Sequence, residues 1–141
     1  MLNQYTDRLS PYTLTVLRII VGITFLLMGL PKWQNPDGFL TFVGSLGIPS
    51  FLGWFPLVLE PLGGLLLILG IGTRWISLYF VLEMLITTIV VKAARGTGFI
   101  VSGRPGVGFE LDLLLLGGAF VLMALGAGQP SVEQNLLKRD L

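Results

Sequence analysis

Three ionisable residues stand inside long apolar stretches of this sequence, and they are Arg18, Glu60 and Glu83. An ionisable side chain costs roughly 2.5–3.5 kcal/mol at the centre of a membrane-spanning helix, so such residues usually face other helices and mark a site. Arg18 is the only cation deep within these stretches, and two carboxyl groups are available to it. The pattern predicts a buried network in which Arg18 pairs with Glu60, directly or through Glu83. A carboxyl group left without a cation would retain its proton, because burial disfavours the charged form.

A second set of polar residues stands where the apolar stretches end. Its members are Lys32, Trp33, Lys92, Arg95, Glu110 and Asp112. A helical rise of about 1.5 Å per residue places all of them near one membrane surface. We expect them to form the rim of a pocket that opens on the side opposite the chain termini, with the segment carrying Phe39 and Phe42 as its lid. A polar stripe at helical spacing, formed by Tyr79, Glu83 and Thr87, also marks the third apolar stretch.

Purely structural interpretations of the same residues remain open. Arg18 and Glu60 could form an ion pair that only fixes the register of two helices. Basic residues at helix ends could be anchors that extend to the lipid headgroups, and tryptophans could belong to an interfacial belt. These interpretations explain each basic residue singly, but they do not explain why the acids Glu110 and Asp112 share the level of Lys32.

The elements that must position these residues are membrane helices. The chain has 141 residues, of which only 12% are charged, and its mean hydropathy is +0.83. A soluble domain averages about 25% charged residues, so this chain has too few to cover a water-exposed surface. Its net charge of +1 gives no electrostatic reason to expect nucleic acid binding. Because the chain contains neither cysteine nor histidine, no metal, haem or iron–sulfur centre is expected, and electron transfer requires a bound organic cofactor or a partner.

Four apolar stretches are each long enough for a membrane-spanning helix, which needs roughly 20 residues. They cover about residues 11–30, 51–71, 75–94 and 109–127, and proline or glycine stands near their ends. Between the first two, apolar residues recur at helical spacing from Phe39 to Leu46, as in a helix that lies in the membrane interface. A short tail helix is expected at about 132–139. The sequence therefore predicts an all-α integral membrane four-helix bundle, a single domain with a short interfacial amphipathic helix between spans one and two.

An even number of spans places both termini on the same side of the cell membrane. Basic residues are divided almost equally between the two sides, and Arg18 shifts the balance slightly towards the side of the termini. We therefore expect both termini in the cytoplasm.

Several of these residues form a pattern that resembles the DoxX/DoxD-like family of small membrane proteins. The segments that carry the resemblance are Arg18 with Gly22, Gly29-Leu30-Pro31-Lys32, Glu60-Pro61-Leu62-Gly63-Gly64, Gly70-Ile71-Gly72-Thr73-Arg74, and Glu110. The resemblance covers nearly the whole chain, although the tail from Gly126 to Ser131 departs from the Gly-Pro-Gly ending of the family. It implies a four-helix bundle. Some members of the family are described as subunits of thiosulfate:quinone oxidoreductase.

For this chain the resemblance implies a membrane subunit of a quinone-linked oxidoreductase complex, with a site for a quinone or another small lipophilic ligand. Catalytic roles, as hydrogen-bond donors and proton relays, would fall to Arg18, Glu60, Glu83 and Glu110. Contacts to the cofactor would come from Lys32, Trp33, Lys92, Arg95 and Asp112. The expected partners are the lipid bilayer and either other subunits of a redox complex or further copies of this chain. Two alternatives are a non-catalytic structural or assembly subunit and a carrier for small lipophilic molecules.

Overall fold

The computed structural model describes residues 2–93 and 109–133, with side chains from residue 12 to 91 and from 109 to 133. All regular elements in these residues are helical. The α-helices are α1 (Leu2–Gln34), α2 (Pro36–Ser45), α3 (Trp54–Leu69), α4 (Thr73–Ile86) and α5 (Glu110–Leu125). A 3₁₀ turn at Ser50–Gly53 precedes α3, and a π-helical segment at Thr87–Ala93 continues α4. The predicted all-α membrane fold is confirmed.

Three helical segments are long and apolar enough to cross a membrane, namely Tyr12–Gln34, Ser50–Leu69 and Thr73–Val91. Helix α5 has 16 residues, which corresponds to a length of about 24 Å at 1.5 Å per residue. The hydrocarbon core of a bilayer is about 30 Å thick. A fourth span, and with it the complete four-helix membrane bundle, therefore stays a prediction. The expected tail helix at about 132–139 lies almost entirely outside the described residues.

The connector between the first two spans contains the expected short helix, α2. Helix α1 continues past Pro31 to Gln34. A proline lacks the backbone N–H that donates a helical hydrogen bond, and the loss of this one bond in the last turn does not end the helix. The helix ends before Asn35 instead, because the backbone of Asn35 has a non-helical φ of −142°. The side-chain oxygen of Asn35 accepts a hydrogen bond of 3.0 Å from the backbone N–H of Gly38, which caps the start of α2.

Helices α1 and α3 pack antiparallel through small residues. Gly22 lies opposite Gly64, and Gly29 lies opposite Pro61. A methyl group added to Gly64 would lie 2.6 Å from the carbonyl oxygen of Gly22, so only glycine permits this approach of the two backbones. This contact fixes the register of α3 against α1, and the register decides which charged side chains can meet.

An apolar core joins this helix pair to α4 and α5. The ring of Phe25 in α1 stacks on the ring of Phe80 in α4, with their centroids 3.5 Å apart. Leu67 of α3 and Ala119 of α5 are fully buried in the same cluster. The core therefore forms an apolar layer in the middle of the bundle.

The end of the bundle that carries the turn between α3 and α4 is closed by the chain itself. Gly70 ends α3 in the left-handed conformation, with φ of +73°, and Gly72 leads into α4 with φ of +60°. The segment 126–133, which follows α5, folds back onto this turn. There the backbone N–H of Glu133 donates a hydrogen bond of 3.2 Å to the carbonyl oxygen of Gly70.

Candidate functional site

Buried ionisable side chains of α1, α3, α4 and the tail lie in two clusters towards opposite ends of the bundle. The Lys32 cluster, next to α2, consists of Lys32, Glu60, Tyr79 and Glu83. The Arg18 cluster, next to the turn between α3 and α4, consists of Thr15, Arg18 and Glu133. Lys32 and Arg18 are 14 positions apart on α1 (32 minus 18), which is about 21 Å along a helix axis. The apolar layer around Phe25 and Phe80 lies between them.

An ion pair between α1 and α3 forms the base of the Lys32 cluster. The ammonium group of Lys32 donates a hydrogen bond to Oε1 of Glu60. Glu60 is 1% exposed, whereas the Lys32 side chain is 23% exposed and reaches the protein surface. The Lys32 nitrogen also lies 4.9 Å from the ring centroid of Phe39 in α2, a cation–π contact that ties α2 to the pair.

Helix α4 adds a second carboxyl group to this pair. The side chain of Glu83 lies beside Glu60 and the hydroxyl group of Tyr79 and interacts electrostatically with both. Oε2 of Glu60 and Oε2 of Glu83 are both buried without a hydrogen-bond partner in the described part of the chain. The cluster therefore contains two buried carboxyl oxygens that no described side chain uses.

A cavity of about 520 Å³ lies between α2, the start of α3 and the outer face of α4. Its polar lining residues are Lys32, Tyr79, Glu83 and Thr87, and its aromatic ones are Phe39, Phe42, Phe55 and Tyr79. The remaining walls are mostly aliphatic. The cavity lies beneath Phe39 and Phe42, where the sequence predicts a pocket, and the stripe Tyr79, Glu83 and Thr87 forms its α4 wall.

The mouth of the cavity lies on the apolar outer surface of the helices. Phe55 of α3 and Leu82 and Ile86 of α4 line the cavity, and each is more than half exposed. In a membrane, exposed apolar side chains on spanning helices contact lipid. A ligand that is dissolved in the bilayer can therefore reach the Lys32 cluster from the side, between α3 and α4.

The Arg18 cluster differs because backbone carbonyl groups surround its cation. Arg18 is 2% exposed and donates from Nη1 to the carbonyl oxygen of Ala127 at 2.8 Å and from Nη2 to that of Pro130 at 3.0 Å. The hydroxyl group of Thr15 donates to the carbonyl oxygen of Gln129 at 2.6 Å. The carboxyl group of Glu133, 1% exposed, interacts electrostatically with Arg18. These contacts hold the tail against α1.

The predicted pairing of Arg18 with Glu60 is wrong. The register of α1 on α3 places Gly29 beside Pro61, and this brings Lys32, one turn further along α1, to Glu60. Arg18 lies beside Gly70 instead. That position is ten residues beyond Glu60 (70 minus 60), or about 15 Å along α3.

The other predicted site residues lie away from the cavity or outside the described part of the chain. Trp33 is half exposed and does not line the cavity. Glu110 and Asp112 stand in the first turn of α5, where Asp112 is 1% exposed, and neither lines the cavity. The side chain of Lys92 and all of Arg95 fall outside the described residues. The catalytic and cofactor-binding roles assigned from the sequence stay predictions.

Three residues of these clusters, Thr15, Tyr79 and Glu133, were absent from the predicted site. Tyr79 could have been included, because it shares a helical stripe with Glu83 and Thr87. Glu133 gives no such signal, since an acid in a polar tail is typical of a solvent-exposed surface. Only the folded position of the tail places it beside Arg18.

Comparison with known proteins identifies the region that contains the cavity. The sequence model of the family described as DoxX matches residues 13–93. This range includes Arg18 and the whole Lys32 cluster, whereas α5 and the tail with Glu133 lie beyond it. The shared part of the chain is therefore the part that builds the cavity.

Relatives from several bacteria match the chain. The Bacillus subtilis protein named "Putative oxidoreductase CatD" is 39% identical over 77 residues, which cover 55% of this chain and 58% of CatD. The Escherichia coli inner membrane protein YphA is 28% identical over 89% of this chain and 91% of its own length. The uncharacterized membrane protein Rv3486 of Mycobacterium tuberculosis is 31% identical over 92% of this chain and 85% of its own length. No solved structure matches the chain significantly.

Proposed function

The chain belongs to the DoxX family of membrane proteins, and we propose that it is a membrane subunit of a quinone-linked oxidoreductase complex. In this proposal the cavity between α2 and α4 binds the head group of a quinone in contact with the Lys32 cluster. One observation carries the proposal: an apolar cavity with its mouth on the lipid-facing surface ends on a buried group of proton donors and acceptors. The word oxidoreductase in the name of CatD supports it.

The residues of the cavity fit a quinone head group. Such a group needs an apolar slot, donors for its carbonyl oxygens and a source of protons. The cavity volume of about 520 Å³ falls in the range of roughly 300–1,000 Å³ that is typical of small-molecule sites. Lys32 has ammonium hydrogens beyond the one that Glu60 accepts. Glu83 lines the cavity, and its Oε2 atom is buried without a hydrogen-bond partner in the described residues.

A bound quinone takes up two electrons and two protons when it is reduced to a quinol. We propose that Lys32 donates a hydrogen bond that orients one carbonyl oxygen and that Glu83 delivers one proton. The second proton enters from the membrane surface beside Lys32, whose side chain is partly exposed. The electrons come from a partner subunit or from a bound organic cofactor. Phe39 and Phe42 of α2 shield the head group from water.

Quinone binding to the full chain in lipid nanodiscs tests the proposal. A short-tailed benzoquinone is titrated, and the bound fraction is measured by chromatography after separation from the free ligand. The change Tyr79→Phe removes one hydroxyl group from the cavity wall beside Glu83, and we expect about two- to tenfold weaker binding from the loss of one hydrogen bond worth about 0.5–1.5 kcal/mol. Absence of saturable quinone binding to the wild-type chain would contradict the proposal.

A matched pair of substitutions tests where the quinone binds. Leu82→Phe enlarges a side chain at the mouth of the cavity, and overfilling a packed site costs about 1–3 kcal/mol, or about five- to more than a hundredfold in affinity. Leu125→Phe makes the same change on the exposed surface near the end of α5, far from the cavity. We expect only Leu82→Phe to weaken binding, and equal affinities of the two variants would place the quinone elsewhere.

A non-catalytic assembly subunit is the second candidate, and the ion pair between Lys32 and Glu60 favours it because the pair joins α1 to α3. In that case Tyr79→Phe and Leu82→Phe change the yield of the assembled complex without changing its activity per complex. Measuring the yield and the activity on the same preparations separates the two candidates.

A further inference from the structure

Two hydrogen-bonding groups line the cavity from different helices, the ammonium group of Lys32 in α1 and the hydroxyl group of Thr87, where α4 continues as a π-helix. The ammonium group is held in place by Glu60, to which it donates a hydrogen bond, and by the ring of Phe39, whose centroid is 4.9 Å away. An ammonium group has three hydrogens, so two remain for a ligand. Because Glu60 balances the charge of Lys32, the pair attracts a neutral acceptor such as a carbonyl oxygen without favouring an anion.

The hydroxyl group of Thr87 forms no hydrogen bond within the described residues. A threonine in a helix often donates to the carbonyl oxygen four residues earlier, as Thr24 does to Ile20 at 2.8 Å. Thr87 stands at the start of the π-helical segment, and such segments are frequent at functional sites. Ile86 and Val91, which flank it on the same wall of the cavity, are apolar. The hydroxyl group is therefore available to a ligand in the cavity.

The two groups lie at different heights along the bundle. Glu60 stands nine residues before the end of α3 (69 minus 60), so the ammonium group that it holds lies about 14 Å from the turn between α3 and α4. Thr87 stands fourteen residues after the start of α4 (87 minus 73), which places it about 21 Å from the same turn. Side chains tilt towards the N-terminus of their helix, which moves the carboxyl group of Glu60 away from the turn and the hydroxyl group of Thr87 towards it. The two groups are therefore separated by about one helical turn.

From this arrangement we infer that the cavity holds its ligand at both ends of one ring, with Lys32 donating to one carbonyl oxygen and Thr87 to the other. The ligands that fit are para-quinones, whose two carbonyl oxygens lie about 5 Å apart across the ring, close to the pitch of one helical turn. The assignment rests on the proposed quinone function, and it makes Thr87 the residue that selects ligands with two acceptors over ligands with one. The ring lies between α2 and α4, and its tail leaves through the mouth at Leu82 and Ile86.

Menadione and tetralone form a matched pair of probes, because both have a fused ring system and tetralone keeps only one of the two carbonyl groups. The chain has no cysteine that menadione could alkylate. Binding to the full chain in nanodiscs is measured by equilibrium dialysis, and the uptake by empty nanodiscs is subtracted. The single carbonyl group of tetralone should bind to Lys32, because a charged donor forms the stronger hydrogen bond. The second carbonyl group should then give menadione about two- to tenfold higher affinity for the wild-type chain.

Three substitutions locate the second contact. Thr87→Val removes the hydroxyl group and keeps the shape, so menadione should bind about two- to tenfold more weakly, whereas tetralone should bind as it does to the wild-type chain. Thr87→Ser keeps the hydroxyl group and should retain the difference between the two probes. Thr24→Val is the matched control, because the hydroxyl group of Thr24 bonds to its own helix and does not line the cavity, and it should change neither affinity.

Equal weakening of both probes by Thr87→Val, or no weakening of menadione binding, would overturn the inference. The wild-type chain tests it even where Thr87→Val fails to fold, since equal affinities for menadione and tetralone would also contradict a second contact. Absence of saturable menadione binding contradicts the proposed quinone function and the role of Thr87 together. Saturable menadione binding that does not depend on Thr87 contradicts the role of Thr87 alone.

Discussion

Replacing Arg18 should destabilise the protein more than any other single change at the end of the bundle near the α3–α4 turn. The substitution Arg18→Met keeps much of the apolar stem and removes the guanidinium group. Two hydrogen bonds, to the carbonyl oxygens of Ala127 and Pro130, are lost, and Glu133 keeps a buried charge without its cation. A hydrogen bond to a charged group contributes about 1.5–3 kcal/mol, so the loss of two costs about 3–6 kcal/mol. We expect the free energy of unfolding to fall by that amount.

A double-mutant cycle gives this prediction its sharpest form. Because Glu133→Gln removes the charge that Arg18→Met leaves buried, the double variant should be less destabilised than the sum of the two single variants, by about 1–3 kcal/mol. Glu60 lies about 15 Å from the level of Arg18 along α3, so the effects of Arg18→Met and Glu60→Gln should add within about 0.5 kcal/mol. The cycle therefore distinguishes the observed partner from the one that the sequence suggested.

Reversible unfolding in mixed micelles, followed by circular dichroism, measures these free energies. Arg74→Met is the matched control, because Arg74 is an exposed arginine at the same end of the bundle, and exposed substitutions usually change stability by less than about 0.5 kcal/mol. If Arg18→Met were as mild as Arg74→Met, or if Arg18 coupled to Glu60 rather than to Glu133, the assigned network would be refuted.

Two further predictions concern helix packing and orientation. Gly64→Ala should destabilise the protein by about 1–3 kcal/mol in the same unfolding assay, because the added methyl group would meet the backbone of α1. Gly117→Ala is the control, since no atom lies within 4 Å of its added methyl group, and this change should be neutral or slightly stabilising. Ser45 and Gln129 are exposed positions in a chain without native cysteine. With both termini in the cytoplasm, an impermeant thiol reagent added outside cells should label the variant Ser45→Cys but not the variant Gln129→Cys. Labelling of Gln129→Cys alone would reverse the orientation.

The sequence was sufficient to predict the helical membrane fold, the helix in the connector and the place of the cavity. These features depend on patterns within one segment, such as an apolar run or a stripe of Tyr79, Glu83 and Thr87. Pairing between helices depends on register, which the sequence alone does not specify. A shift of α3 against α1 by three turns would have brought Arg18 close to Glu60, and only the contacts of Gly22 with Gly64 and Gly29 with Pro61 exclude it.

The two clusters differ in what their polar atoms contact, and this difference separates a structural role from a functional one. Both terminal nitrogens of Arg18 donate to carbonyl groups of the tail, so the guanidinium group is held by the backbone of its own chain. In the Lys32 cluster, by contrast, the side chains of Lys32, Tyr79 and Glu83 line a cavity. A protein that only needed helix contacts could have used apolar residues at these positions. We therefore propose a structural role for Arg18 and a ligand-binding role for Lys32, Tyr79 and Glu83.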